Sequence, residues 1–168
     1  MPRYWAIRTD QERADRLWAE VLAGRLRQGW GYQPEQDLEL IADLKRRGRA
    51  LTNDQRNTWR GNRRLLSTEP GEVRRGDIVV APNLPRRGEC AILRVTGEYR
   101  YEISDIPNAV WDGPDYGHIL PVDVIAAPID RSDRAISDRL RSALRPPMRM
   151  WSLDHVADDI EALIRERS

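Results

Sequence analysis

The sequence predicts an α+β fold: a small β-barrel or curled sheet of five to six mostly antiparallel strands flanked by helices, with a helical appendage at the C-terminal end. Three observations predict it. From Gly76 to Ile125, short β-branched runs recur at intervals of roughly ten residues and are separated by Gly, Pro and Asn, the pattern of a small antiparallel sheet. On either side of that stretch, apolar residues recur at helical spacing. The 168-residue chain is 40% hydrophobic and 33% charged, enough to bury a core without disulfides.

The elements follow in order. Tyr4-Trp5-Ala6-Ile7 is an aromatic and β-branched run that suits a first strand joining the later sheet. Asp10 is placed to cap a helix on which Ala14, Leu17, Trp18, Val21 and Leu22 share a face, ending near Gly24. Leu26 to Tyr32 has no clear period, and within it Gly29 and Gly31 flank Trp30. Pro34 opens a short helix through Leu38, Ile41 and Ala42 to Gly48, and its basic end at Lys45 to Arg47 complements the helix dipole. Thr52 and Gln55 form a capping-box pattern for a third helix reaching toward Leu66, after which Pro70-Gly71 breaks the pattern. Ile78 to Ala81, Cys90 to Val95, the Tyr99/Tyr101/Ile103 alternation and His118 to Ile125 supply the strands. Ser104 to Gly117 is a long loop. Beyond Pro128, Ile136, Leu140 and Leu144 mark one helix, and Ser152 caps another carrying Leu153, Val156, Ile160 and Leu163. This divides the chain into a domain at 1–128 and a helical extension at 129–168 that packs on the domain or on a partner.

Most catalytic chemistries lack their residues. Cys90 is the single cysteine and sits in an apolar run as a packing residue, so neither a disulfide nor a cysteine zinc site can be built. His118 and His155 are the two histidines, too few for a helical metal motif, and no metal or cofactor is expected. No Gly-x-Ser-x-Gly and no phosphate-binding Gly-x-x-x-x-Gly-Lys sequence occurs. Pro114-Asp115 followed by Val122-Asp123-Val124 resembles the arrangement of metal-dependent nucleases, but Ile125 occupies the lysine position and Lys45 is the sole lysine. The simpler reading of Asp115 is a turn acid bonded to backbone or to the nearby imidazole. With neither a signal peptide nor a spanning segment in the sequence, a cytoplasmic, non-enzymatic protein without membrane association is expected.

Charge and aromatic placement point toward nucleic acid. Net charge is +1, yet the segment from Lys45 to Arg87 holds twelve basic residues against four acids, a local excess able to attract phosphates. On the third helix Arg56, Arg60 and Arg63 fall along one side, next to Trp59. Trp18 is a core residue by its spacing. Trp30, between glycines that permit close backbone approach, and Trp59, beside the arginines, have the character of base-stacking platforms. The bland reading is that these aromatics fill the mouth of a small barrel.

Tyr4-Trp5 on a first strand, Gly29-Trp30-Gly31 after one helix, Trp59 before Gly76-Asp77-Ile78-Val79, and Asp115-Tyr116-Gly117-His118 leading to Pro121-Val122 together resemble the PUA-like superfamily, in its EVE and YTH branches, as found in specificity domains of modification-dependent restriction systems. The resemblance covers residues 1–128. It implies a PUA-like barrel whose aromatic cage takes a modified base, flipped from a duplex or presented on a single strand. It also implies Trp30 and Trp59 as pocket walls, Trp5 as an aromatic near the pocket floor, and Asp115 as a contact to a base edge; the long loop adds Trp111, which closes one side of the pocket, and DNA is expected ahead of RNA as partner. The helical spacing adds Arg56, Arg60 and Arg63 as phosphate contacts. A protein-interaction subunit using the C-terminal helices is the alternative, and a metal-dependent nuclease a third.

Overall fold

The computed structural model describes residues 1–66 and 72–168, so the expected break at Pro70-Gly71 lies outside the described residues. Seven strands form one mixed sheet: β1 (Tyr4–Ile7), β2 (Arg25–Gln28), β3 (Ile78–Pro82), β4 (Glu89–Val95), β5 (Arg100–Tyr101), β6 (His118–Asp130) and β7 (Met150–Ser152). Their order is β2-β6-β4-β3-β1-β7, with β5 also paired to β6. All neighbours are antiparallel except β1 and β3, which run parallel. The sheet is curled rather than closed into a barrel, because the hydrogen-bonded path ends at β2 and at β7. Among the described residues five α-helices accompany it: α1 (Ala14–Leu22), α2 (Leu38–Arg46), α3 (Asn53–Asn62), α4 (Asp138–Ala143) and α5 (Ala157–Arg167).

Strand alternation sorts the apolar residues into two cores. Trp5 and Ile7 of β1, Val79 and Ala81 of β3, and Ala91, Leu93 and Val95 of β4 face one way and meet Leu17 and Val21 of α1 and Leu38 and Ile41 of α2. Tyr4 and Ala6, Ile78 and Val80, and Cys90 and Ile92 face the other way, against Leu140 of α4 and Ile160 and Leu163 of α5. Burial on both faces explains why these strands read as continuous apolar runs. Burial also pushes the Cys90 thiol up to about 11, as suits a packing residue.

The caps form locally. Gln55 N donates to Thr52 Oγ1 at 3.1 Å and Thr52 N to Gln55 Oε1 at 3.0 Å, completing the capping box of α3. Asp10 caps a short 3-10 turn, Gln11–Arg13, that leads into α1. The third helix stops at Asn62, with a 3-10 turn carrying the chain to Leu65.

Two expectations need correction. Arg25–Gln28 is a strand, hidden from the pattern because core Leu26 is flanked by two arginines on the other face; Arg27 is nevertheless buried there, where its Nε meets Glu20 Oε2 at 2.6 Å and its Nη1 donates to Tyr116 O at 2.9 Å. The C-terminal segment, expected to be helical, contributes β7 beside β1, with Ala6 opposite Trp151. Arg8 N donates to Arg149 O at 2.8 Å and Leu153 N to Tyr4 O at 2.7 Å, extending the pairing at both ends. Ser152 therefore ends a strand, and its hydroxyl accepts from Asp154 N at 3.2 Å in the turn before α5. The apolar faces of the tail lie against the sheet: Ile136, Leu140, Leu144, Val156 and Ile160 are each at most 2% exposed.

Candidate functional site

The Gly29-Trp30-Gly31 loop leaves β2 where Gln28 pairs with His118, so it runs against the segment Asp115 to His118. Every polar backbone group in its centre has a partner. The Asp115 carboxylate accepts Trp30 N at 3.2 Å and Gly31 N at 2.8 Å, and it also takes Tyr116 N and the Asn108 amide. Gly29 O accepts from Asn62 Nδ2 and Arg149 Nη1, both at 3.1 Å. Trp30 O accepts from the Thr58 hydroxyl at 2.6 Å, and Gly31 O from the Tyr101 hydroxyl at 2.8 Å. Trp30 is thereby held at φ +65°, a left-handed conformation that costs a bulky residue about 1–3 kcal/mol. The loop is clamped and the indole projects from it, 42% exposed.

Close approach explains the glycines. A Cβ at Gly31 would lie 3.0 Å from Gly117 N, and one at Gly117 would lie 2.4 Å from Gly31 O. The crowding is with the protein's own backbone, which corrects the expectation that Gly29 and Gly31 open a path to a ligand.

Beneath the loop His118 is fully buried, and burial pushes it down to about 4, keeping the ring neutral near pH 7. The Trp30 carbonyl facing His118 Nε2 can only accept, which leaves Nδ1 to accept from the Tyr99 hydroxyl at 2.8 Å, whose oxygen takes Leu38 N at 3.1 Å. The network thus assigns the ring proton to Nε2, which faces Trp30 O at 2.9 Å and the Thr58 hydroxyl at 2.8 Å. The start of α2, the middle of α3 and the Trp30 loop all meet at this imidazole.

The Trp30 indole borders a pocket of about 410 Å³ whose other aromatic walls are Tyr32 and Trp111. Those two rings meet edge to face, with centroids 4.7 Å apart. Gln36, Asp54, Asn57 and Asn108 bring polar groups to the pocket, Val110 completes it, and among the described residues Asp54 is its one charged residue. Burial and the neighbouring Asp54 push the Tyr32 hydroxyl up, so it stays a neutral hydrogen-bonding group. Trp30 also borders a second cavity of about 330 Å³, lined in part by Arg8, Met148 and Arg149. From that side the Arg149 guanidinium covers the indole, 4.8 Å from the ring centroid.

Of the residues expected at a pocket, Trp30 and Trp111 line the same one. Trp5 does not: it is 2% exposed in the first core, and its Nε1 donates to Asp77 Oδ2 at 3.0 Å. Trp59 packs against the first core, with the Lys45 ammonium 5.6 Å from its ring. Asp115 is fully buried and engaged by four N–H donors, which leaves it a brace under the loop rather than a contact to a base edge. Arg56 turns back to Leu51 O at 2.6 Å and to Asn53, whereas Arg60 and Arg63 border a third cavity with Arg64 and Arg149. Sequence reasoning missed Tyr32, Gln36, Asp54, Asn57, Asn108 and Arg149. Asp54 and Asn57, three apart on α3, carried a usable signal, since that spacing places them side by side. Tyr32 and Gln36 follow Trp30 directly in the chain, whereas Asn108 and Arg149 reach the site from distant segments.

No protein-family model and no curated protein matches the chain. Among solved structures, the crystal structure of a protein from Agrobacterium tumefaciens is similar at 11% identity, covering 99% of this chain and 93% of that one with a TM-score of 0.43. Among the described residues, no helix is long and apolar enough to cross a membrane, and no group of three or more His, Cys, Asp or Glu is arranged to hold a metal ion.

Proposed function

We propose that the protein is a non-catalytic nucleic-acid-binding module of the PUA-like, EVE/YTH-like type that holds one modified base, most favourably in DNA, in the pocket walled by Trp30, Tyr32 and Trp111. The observation that carries this reading is the Trp30 indole. Its backbone is immobilised on every side, Arg149 covers it from the second cavity, and it also borders a pocket of about 410 Å³, within the roughly 300–1,000 Å³ of ligand sites. An aromatic platform fixed before the ligand arrives loses little entropy on binding.

Stacking on aromatic walls contributes roughly 1–3 kcal/mol per base, while extracting a base from a duplex costs a few kcal/mol. A pocket whose contacts offset that cost for one modification acts as a sensor. Asp54 and Asn57 supply the hydrogen-bonding groups that discriminate base edges, as carboxylates do toward cytosine amines and amides toward adenine. The candidate acid and base next to the loop are occupied structurally: both His118 nitrogens are bonded, and Asp115 holds four N–H groups. That occupancy supports binding without catalysis. The buried apolar faces of the tail likewise take away the observation that motivated a protein-docking role.

The test is binding of oligonucleotides carrying methylated or hydroxymethylated bases, compared with unmodified strands, by fluorescence anisotropy. A preference of tenfold or more for one modified strand is expected. Failure to bind any DNA or RNA tested would overturn the reading.

A further inference from the structure

Three cavities stand in a row and share walls. The first and second share Trp30, Asn108 and Val110, and the second and third share Met148 and Arg149. The third, about 180 Å³, is bordered by Arg60, Arg63, Arg64 and Arg149, with Gly61 and the methionines as its uncharged lining among the described residues. Arg60, Arg63 and Arg64 converge because residues three and four apart lie on one side of the end of α3 and its following turn. Arg149 reaches them from the residue before β7, passing Gly61, where even a Cβ would come no closer than 3.8 Å to its side chain.

Among the described residues, the pair of Arg63 with Glu72 is the one ion pair these cations make. Arg63 approaches Glu72 only to 3.9 Å, Arg64 Nη1 donates to Met150 O at 3.4 Å, and Arg149 Nη1 is directed to Gly29 O. Arg60 has no ion pair among the described residues, and its side chain is exposed. Four arginines lining one small cleft create a strong local positive field, although the Arg149 guanidinium also reaches over Trp30. Guanidinium forks match the oxygens of a phosphate, which neutralises that field with charge-assisted bonds.

We propose that this cleft is a phosphate subsite: it takes a backbone phosphodiester flanking the base held beside Trp30, with the intervening nucleotide crossing the second cavity. Naming the phosphate as a strand's own rests on the base-pocket reading. The cleft itself stands independently, on the four arginines that line it.

The test uses the whole chain and fluorescein-labelled single-stranded oligonucleotides, with and without the preferred base, titrated at several salt concentrations. For each phosphate contact removed, the slope of log binding constant against log salt falls by about 0.7 on a single strand. The double variant Arg60→Gln/Arg63→Gln is expected to lower the slope by about 0.7 or more and to weaken modified and unmodified strands by the same factor. Its thermal midpoint, measured alongside, is expected to match the parent, and Arg60→Gln alone, which breaks no ion pair, is expected to show the same direction of change. Trp30→Ala is expected to keep the slope and lose the base preference. An unchanged slope in the arginine variants overturns the subsite. Competition by inorganic pyrophosphate as strong as by the oligonucleotide overturns its assignment to a strand. A slope that falls in a protein showing no base preference sustains the phosphate subsite and removes the base pocket.

Discussion

The Arg149 guanidinium lies 4.8 Å from the centroid of the Trp30 ring while its Nη1 donates to Gly29 O at 3.1 Å. A residue of the C-terminal segment thus holds both the ring and the backbone of a loop 120 positions earlier. Burial pushes this guanidinium down from its usual range, with Asp115 opposing the shift. Arg149→Met is expected to lose the cation–π contact and one hydrogen bond, together about 1–3 kcal/mol, with Asn62 still serving Gly29 O. Urea denaturation measures the loss. Arg149→Lys, which keeps the charge but not the planar fork, is expected to recover only part of it.

Replacing the glycines is expected to destabilise in the order Gly117, Gly31, Gly29. A Cβ at Gly117 meets Gly31 O at 2.4 Å, one at Gly31 meets Gly117 N at 3.0 Å, and one at Gly29 meets only side-chain atoms, at 3.4 Å. The first two contacts are with backbone and cannot be relieved by a rotamer change. Gly31→Ala is expected to cost about 1–3 kcal/mol, and Gly117→Ala more. Comparison of denaturation midpoints tests the order.

Asp115→Asn separates a brace from a base contact. As a brace, the carboxylate serves four N–H donors, and an amide in its place turns its own donors toward some of them, costing about 2 kcal/mol or more. The expected result is lower stability with binding lost in parallel. Full stability with binding alone abolished would return Asp115 to the role of a ligand contact.

The buried imidazole gives the fold an acid limit. His118 is pushed from 6.5 down to about 4 by burial, with Asp115 opposing and Arg149 reinforcing the shift, so the unfolded chain binds more protons than the native one between those values. Stability contributed by the neutral ring is complete above about pH 6.5 and is lost as pH falls toward 4, amounting to about 3 kcal/mol. Unfolding free energies measured from pH 7 to pH 4 are expected to show this fall, and His118→Gln to flatten it. The Glu20 carboxyl, held down to about 2 chiefly by its bond to Arg25, adds a separate loss at lower pH.

Much of the sheet is legible in the sequence, because β1, β3, β4 and β6 are apolar runs bounded by turn residues. β7 is not, since three residues carry no period and its strand character comes from pairing with β1. The capping box at Thr52 and Gln55 is legible because both halves lie within one turn. The aromatic walls of the site are legible at Trp30 and Trp111, exposed aromatics set in glycine- and proline-rich loops. Trp5 misleads because its type suggests a platform, whereas its place on β1, two residues from Ile7 on the same face, commits it to the core. Asp115 misleads for a different reason: the N–H groups that occupy it at Trp30 and Gly31 are 85 and 84 positions away, beyond any local pattern.

The central claim is that Trp30 and Trp111, and not Trp59, form the walls of a base pocket. The most direct measurement is the affinity for a strand carrying the preferred modified base, determined by anisotropy for Trp30→Ala, Trp111→Ala and Trp59→Ala with unfolding midpoints recorded in parallel. Stacking of roughly 1–3 kcal/mol per base predicts losses of about 5- to 150-fold for the first two, with little change in stability. Trp59→Ala is expected to lower stability, with the affinity of the folded protein preserved. Unchanged affinity in Trp30→Ala and Trp111→Ala would contradict the claim.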